Sequence, residues 1–114
     1  PNIYHFKNLS EPMRLSLVQY IQERYSQTKS FNREPLTSAY CLKQPFTRLA
    51  ASPTEHVTSQ CFKEAMEYCG FKARLRGEDR GKESNWEFNI RILKRPEISV
   101  YRILKKKESF SIIF

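Results

Sequence analysis

The chain has 114 residues, of which 39% are hydrophobic, and this size suits one globular domain with its own core. Lys and Arg outnumber Asp and Glu by 20 to 12, which gives a net charge of +8. Such an excess favours a polyanionic partner, with nucleic acid ahead of an anionic membrane. The three cysteines lack the spacing of a disulfide framework, which argues against a secreted disulfide scaffold.

The first half of the chain predicts two helices after a short lead over residues 1–9. Ser10-Glu11-Pro12 is a helix-start signal, and the helix is expected to reach about Tyr25, with Arg24 on its solvent side. Residues 26–36 are polar and predict a loop. Thr37 or Ser38 then caps a second helical stretch to residue 50, in which Pro45 predicts either a kink or two short turns. Its apolar positions are Tyr40, Leu42, Phe46 and Leu49.

A third helix and a hairpin follow between residues 56 and 92. His56-Val57 predicts a short strand beside the hairpin edge, and Thr58 or Ser59 caps a helix over 59–69 that Gly70 ends. The apolar side of this helix consists of Phe62, Ala65, Met66 and Cys69. In the hairpin, a core face of Phe71, Ala73, Leu75, Trp86, Phe88, Ile90 and Ile92 alternates with a basic face.

These elements predict an α+β fold of the winged helix-turn-helix type. It has three helices and a β-hairpin wing whose charged tip spans residues 77–84. We expect one domain over residues 1–114, with its core at 10–92 and a C-terminal β extension at 93–114; a helix is the alternative for that extension. The apolar end SIIF either packs on the core or meets another subunit, so a homodimer through this extension is possible.

Five short motifs occur in one order between residues 38 and 92. They are Ser38-Ala39-Tyr40-Cys41-Leu42-Lys43 with Phe46, His56-Val57-Thr58-Ser59, Phe62-Lys63-Glu64-Ala65-Met66, Gly70-Phe71 and Asn85-Trp86-Glu87-Phe88-Asn89-Ile90. This arrangement resembles a small domain of replication-associated proteins of phages and mobile elements. That domain occurs beside or within primase and helicase proteins of Gram-positive bacteria, including those of staphylococcal cassette chromosomes.

The chain also departs from that family's pattern. There is an extra residue between Ser38 and Tyr40, His56 stands where the family has an aromatic residue, and Ser59 stands where it has asparagine. The resemblance implies a winged-helix-like DNA-binding domain that works in the replication of a mobile element. Because most matching residues are apolar, they speak for the fold more than for the function.

The residue pattern favours neither catalysis nor a metal site. A nucleophile elbow, a P-loop and an HExxH motif are all absent from the sequence, and Asp79 is the only aspartate. Cys61 and Cys69 are eight residues apart on one predicted helix, about 12 Å along its axis, which is too far for one zinc ion. We therefore expect a non-enzymatic protein with no cofactor.

Basic side chains on the hairpin predict contact with DNA. Two residues of the third helix, Gln60 and Lys63, suit bases or phosphates, whereas Glu64 and Glu67 beside them do not. The wing is therefore the preferred contact surface, with affinity that depends on salt and little on sequence. The predicted nucleic-acid-binding residues are Gln60, Lys63, Lys72, Arg74, Arg76, Arg80, Lys82 and Arg91.

These observations predict a DNA-binding protein accessory to the replication of a phage or mobile element. Single-stranded or forked DNA suits a surface dominated by the wing, and a replicative primase or helicase is a possible protein partner. The alternatives are a protein-interaction module that docks a primase or helicase, and a dimeric repressor. With neither a signal peptide nor a run of 18 apolar residues, we expect a cytoplasmic protein without a membrane partner.

Overall fold

A computed structural model describes residues 1–76 and 85–93, and it confirms a small α+β fold with three helices within this part. The tip at 77–84 and the C-terminal extension beyond Leu93 lie outside the described residues. The helices are α1 Glu11–Arg24, α2 Ala39–Ala50 and α3 Ser59–Tyr68. The described strands are β1 Asn2–Ile3, β2 Tyr25–Gln27, β3 His56–Val57, β4 Ala73–Leu75, β5 Trp86–Phe88 and β6 Ile90–Ile92.

Helix α1 begins where the sequence predicts. The Ser10 hydroxyl accepts a hydrogen bond from the Met13 amide, and Leu17 and Ile21 are fully buried. The expectation for Arg24 is wrong, because its side chain is buried with the guanidinium carbon 4.1 Å from the centre of the Tyr20 ring. Strand β2 follows α1 without a loop, and the Leu93 amide donates to the Arg24 carbonyl at 2.8 Å. The residue after β6 is therefore bonded to the last residue of α1.

Helix α2 runs as one element through Pro45, so the alternative of two short turns is wrong and the alternative of one helical stretch is confirmed. Ser38 caps it by accepting from the Cys41 amide at 3.3 Å. Proline has no amide hydrogen, so position 45 supplies no helical donor to the Cys41 carbonyl. Leu42 and Phe46 are buried as expected. The other two predicted apolar positions, Tyr40 and Leu49, are exposed.

Helix α3 agrees with its prediction at both ends. Thr58 is the cap and accepts from the Cys61 amide at 3.2 Å. At the other end Gly70 has φ +94°, and the amides of Gly70 and Phe71 donate to the carbonyls of Glu67 and Met66. This is the paired hydrogen-bond pattern that commonly ends helices at a glycine. Phe62, Ala65 and Met66 on its apolar face are completely buried.

Strand β3 has a different partner from the one predicted. It pairs in parallel with β1, Asn2 opposite His56 and Ile3 opposite Val57, and not with the hairpin edge. The Thr58 hydroxyl extends this contact by donating to the Ile3 carbonyl at 2.8 Å. The lead segment therefore takes the place beside β3 that the sequence predicts for the hairpin edge. Its last residue, Leu9, is buried and anchors the segment to the domain.

The hairpin is shorter than the alternating pattern predicts. Strand β4 pairs antiparallel with β5, but β6 pairs antiparallel with β2 instead of continuing the hairpin. Asn89 separates the two ladders, since its side-chain oxygen accepts from the Lys72 amide and its side-chain nitrogen donates to the Thr28 carbonyl. The predicted single apolar face is therefore wrong at its ends, where Leu75 is 63% exposed and Ile92 is 40% exposed.

The core lies where the three helices meet β5. The rings of Phe62 on α3 and Phe88 on β5 pack edge to face with centres 6.3 Å apart. Tyr20 on α1 and Phe46 on α2 make a second edge contact at 5.2 Å. This packing fixes the hairpin against α3 and sets which of its sides faces outward.

Candidate nucleic-acid interface

The basic side of the hairpin is built around one buried acid. The register of β4 and β5 places Arg74 opposite Glu87, whose side chain is only 6% exposed. Arg74 Nε donates to Glu87 Oε2 at 2.8 Å, and Arg74 Nη2 lies 2.6 Å from the same oxygen. Because Arg74 itself remains 49% exposed, it is both paired and accessible.

Arg76 does not lie on the solvent face, and that prediction is wrong. Its side chain is 16% exposed, and its two terminal nitrogens donate to the carbonyls of Glu34 and Pro35 at 3.2 and 3.4 Å. Its Nε is 3.4 Å from Glu87 Oε1 but makes no directed hydrogen bond, so the ion pair there is weak. Arg76 therefore joins the hairpin to the segment before α2.

The segment that covers this side runs between β2 and α2. The Thr28 amide donates to the Asn89 carbonyl at 2.9 Å, and the Asn32 amide donates to the Phe88 carbonyl at 2.8 Å. Phe31 lies between these two bonds in sequence, and its ring centre is 4.3 Å from the guanidinium carbon of Arg74. This distance is within the range of a cation–π contact.

Two predicted residues are exposed and make no ion pair with any other described residue: Lys72 and Arg91. Lys72 directly precedes β4 and alternates with Arg74, whereas Arg91 lies on β6 opposite Ser26. They thus belong to different ladders. Arg80 and Lys82 lie outside the described residues.

Sequence reasoning missed several members of this surface. Lys29 and Arg33 are both exposed and flank the segment that carries Phe31. The polar, proline-containing composition of residues 26–36 predicts a loop and says nothing about which strand it covers. The burial of Glu87 could not be predicted, because the alternating pattern assigns this residue to the solvent side.

Helix α3 pairs its polar residues with one another. Gln60 Nε2 donates to Glu64 Oε2 at 2.7 Å, and Lys63 Nζ lies 3.0 Å from Glu67 Oε1. Lys63 also lies 5.6 Å from the centre of the Trp86 ring. Both predicted contact residues of this helix therefore already have partners.

The N-terminal segment occupies the same side of α3. Glu64 accepts hydrogen bonds from His5 Nδ1 and from the Phe6 amide, each at 3.0 Å. The Phe6 ring lies 5.2 Å from that of Tyr68. Burial alone would raise the pKa of Glu64, but hydrogen bonds from Gln60, the Phe6 amide and His5 outweigh it and hold this pKa below 4.5. The N-terminal segment therefore occupies Glu64 on the polar face of α3.

Within residues 1–76 and 85–93, no three His, Cys, Asp or Glu side chains are grouped closely enough to hold a metal ion. Burial, with the nearby charges of Glu64 and Glu55, raises the pKa of the Cys61 thiol to about 12. In the same described part, none of the helices has the length and apolar character needed to cross a membrane.

Comparisons of the chain with protein-family models, curated proteins and solved structures find no match. The family resemblance of residues 38–92 therefore stays a prediction.

Proposed function

We propose that this protein is a non-enzymatic DNA-binding protein, accessory to the replication of a phage or mobile genetic element. The observation that carries the proposal is the group of exposed cations around strand β4. This group, hereafter the strand surface, consists of Lys29, Arg33, Lys72 and Arg74. The net charge of +8 supports it, because a field of this sign attracts a polyanion before any contact forms.

The order of elements supports a winged-helix description of the fold. Helices α1, α2 and α3 precede an antiparallel β4–β5 hairpin, which is the order of helices and wing in that class. In this protein the wing is the better candidate for contact, since Gln60 and Lys63 on α3 have acidic partners. A cytoplasmic location and a primase or helicase partner belong to the same proposal.

Charge reversal on the strand surface tests this proposal. We compare Lys72→Glu and Lys29→Glu with Arg48→Glu, an equal change of charge on an exposed residue of α2. Arg48 lies eight residues from Tyr40, whose amide contacts the hairpin at Asn85, so it is about 12 Å further along the helix. Binding is measured by fluorescence anisotropy with single-stranded, duplex and forked oligonucleotides over a salt series.

The two strand-surface variants, Lys72→Glu and Lys29→Glu, should bind DNA more weakly than the Arg48 variant. Each should reduce the slope of log affinity against log salt by about 0.7 on single strands, as expected for one lost phosphate contact. Equal effects of all three variants would show that only net charge matters. Failure of the unaltered protein to bind any of the oligonucleotides at low salt would refute the proposal.

A second candidate function is the docking of a replication protein, and an exposed apolar group favours it. Leu36 is 76% exposed, Leu75 63% and Tyr40 54%. All three adjoin one junction, because Arg76 donates from its amide to Asn85 and from its side chain to the Pro35 carbonyl, and the Tyr40 amide donates to Asn85. Large exposed apolar side chains beside one such junction suit a protein contact.

The docking function is tested with Leu36→Ser and Leu75→Ser at 150 mM salt. Both variants should lose binding to a purified primase or helicase from the same element while keeping their affinity for DNA. If the unaltered protein binds neither the primase nor the helicase, the docking function is refuted and the DNA function alone remains. Light scattering of the full chain at several concentrations tests the proposed homodimer through residues 93–114.

A further inference from the structure

The Arg74 guanidinium is held by two neighbours and remains accessible. Two of its nitrogens, Nε and Nη2, are bound by Glu87, and its carbon lies over the Phe31 ring, 4.3 Å from the ring centre. Yet the side chain is 49% exposed. The guanidinium is therefore held by Glu87 and Phe31 while the side chain stays accessible to a ligand.

Glu87 makes this orientation rigid. Its side chain is 6% exposed, and it lies in the middle of β5, opposite Arg74 in the ladder. Bonding from Nε and Nη2 to one carboxylate fixes the plane of the guanidinium as well as its position. Phe31 is held in turn because the backbone amides of Thr28 and Asn32 donate to the carbonyls of Asn89 and Phe88.

We propose that Arg74, stacked on Phe31, is a base-stacking platform for single-stranded DNA, and that Lys72 binds the adjoining phosphate. Unpaired bases stack on guanidinium planes and aromatic rings, whereas bases inside a duplex already cover each other's faces. Lys72 is exposed and directly precedes β4, two residues from Arg74, so continuing the alternation of the strand by one residue places both on the same side of the hairpin. This inference rests on the proposed DNA function and names the form of DNA that the site prefers.

The arrangement on α3 argues for the same preference. A duplex reader would place the polar face of this helix in a groove, but there Glu64 binds His5 and Phe6, and Glu67 binds Lys63. Two carboxylates on that face repel phosphates. The strand surface offers cations and a flat stacking group instead, which suits a flexible single strand.

The experiment separates stacking from charge with two oligonucleotides of equal length, one carrying bases and the other made of abasic sites. The unaltered protein should bind the base-containing strand about tenfold more tightly than the abasic strand, the size expected for stacking of one base. Arg74→Lys keeps the charge but loses the planar guanidinium. This variant should bind both strands with the affinity that the unaltered protein has for the abasic strand. Phe31→Leu keeps the arginine and removes its support, and it should lose most of the same preference.

The outcomes separate the two proposals. Equal binding of both strands by the unaltered protein, or an undiminished preference in both variants, would overturn the stacking platform and leave the DNA function standing. No binding to either strand would remove both. Thermal unfolding of each variant checks that the fold is kept. The two substitutions act on different elements, so if one variant fails to fold, the other one decides the test.

Discussion

Glu87 and Arg74 face each other across the β4–β5 ladder, and the carboxylate of Glu87 is almost completely enclosed. A second arginine, Arg76, approaches the other oxygen of Glu87 and bonds the carbonyls of Glu34 and Pro35. This acid therefore joins the hairpin to the segment that precedes α2. A surface predicted to be wholly basic is in fact assembled around one negative charge.

Replacing Glu87 should destabilise the domain. Glu87→Ala removes the acceptor of Arg74 and the weak ion pair of Arg76, which should lower the free energy of unfolding by about 2–3 kcal/mol, with the exposure of Arg74 keeping the loss moderate. Glu87→Gln keeps an acceptor of the same shape and should cost about half as much. Urea denaturation measures both values. An alanine variant no less stable than the glutamine variant would show that the carboxylate has little structural role.

Local signals in the sequence predict the helices well. Ser10, Ser38 and Thr58 all cap helices in the structure, and Gly70 ends α3 with a positive φ. Each of these signals acts through bonds to residues at most four positions away, so a linear pattern contains them. The buried face of α3 follows from the same short-range periodicity.

Contacts between distant residues could not be predicted in this way. Alternation along β4 separates two faces but does not say that the segment around Phe31 covers one of them, so alternation alone places Arg76 in solvent. Pairing of β3 with β1 and of β6 with β2 joins residues more than 50 positions apart. Which strand is nearest depends on the packing of the whole core, and the sequence shows no local mark of it.

Gly70 should not tolerate a side chain. At φ +94° a residue with a β-carbon is strained, so Gly70→Ala should lower the free energy of unfolding by about 1–2 kcal/mol. A β-carbon there would also come within 3.0 Å of Gln27 Nε2, the mobile end of a side chain. The same substitution in a Gln27→Ala background separates the two effects in chemical denaturation. We expect the cost to persist in that background, and its disappearance would assign it to crowding.

The contact between Glu64 and the N-terminal segment should make stability depend on pH. Because the pKa of Glu64 is lower in the folded protein than its ordinary 4.5, the folded state favours the charged carboxylate. Its contribution is complete above 4.5 and is lost as the pH falls through the lowered pKa.

Glu64→Gln measures this contribution directly. The difference in unfolding free energy between the unaltered protein and this variant should be largest near neutral pH and should shrink as the pH falls below 4.5. Glu67→Gln makes the same change of charge on the same helix, but Glu67 is 43% exposed and pairs with Lys63, so this variant should have a smaller effect. A Glu64 difference that stayed constant down to pH 3 would contradict the assignment.

The three cysteines should differ sharply in their reactivity towards an alkylating reagent. Cys61 is fully buried and burial raises its pKa to about 12, so at pH 8 it has almost no thiolate. Burial also raises the pKa of Cys69, whereas Cys41 lies partly exposed with its sulfur 3.9 Å from the Pro35 carbonyl. In the folded protein iodoacetamide should therefore modify Cys41 first, Cys69 more slowly and Cys61 only when the domain unfolds.

Peptide mass spectrometry over time gives the order of modification, and addition of urea should make the rates of all three cysteines converge. Modification of Cys61 as fast as Cys41 in the absence of urea would contradict the burial of Cys61 in the core.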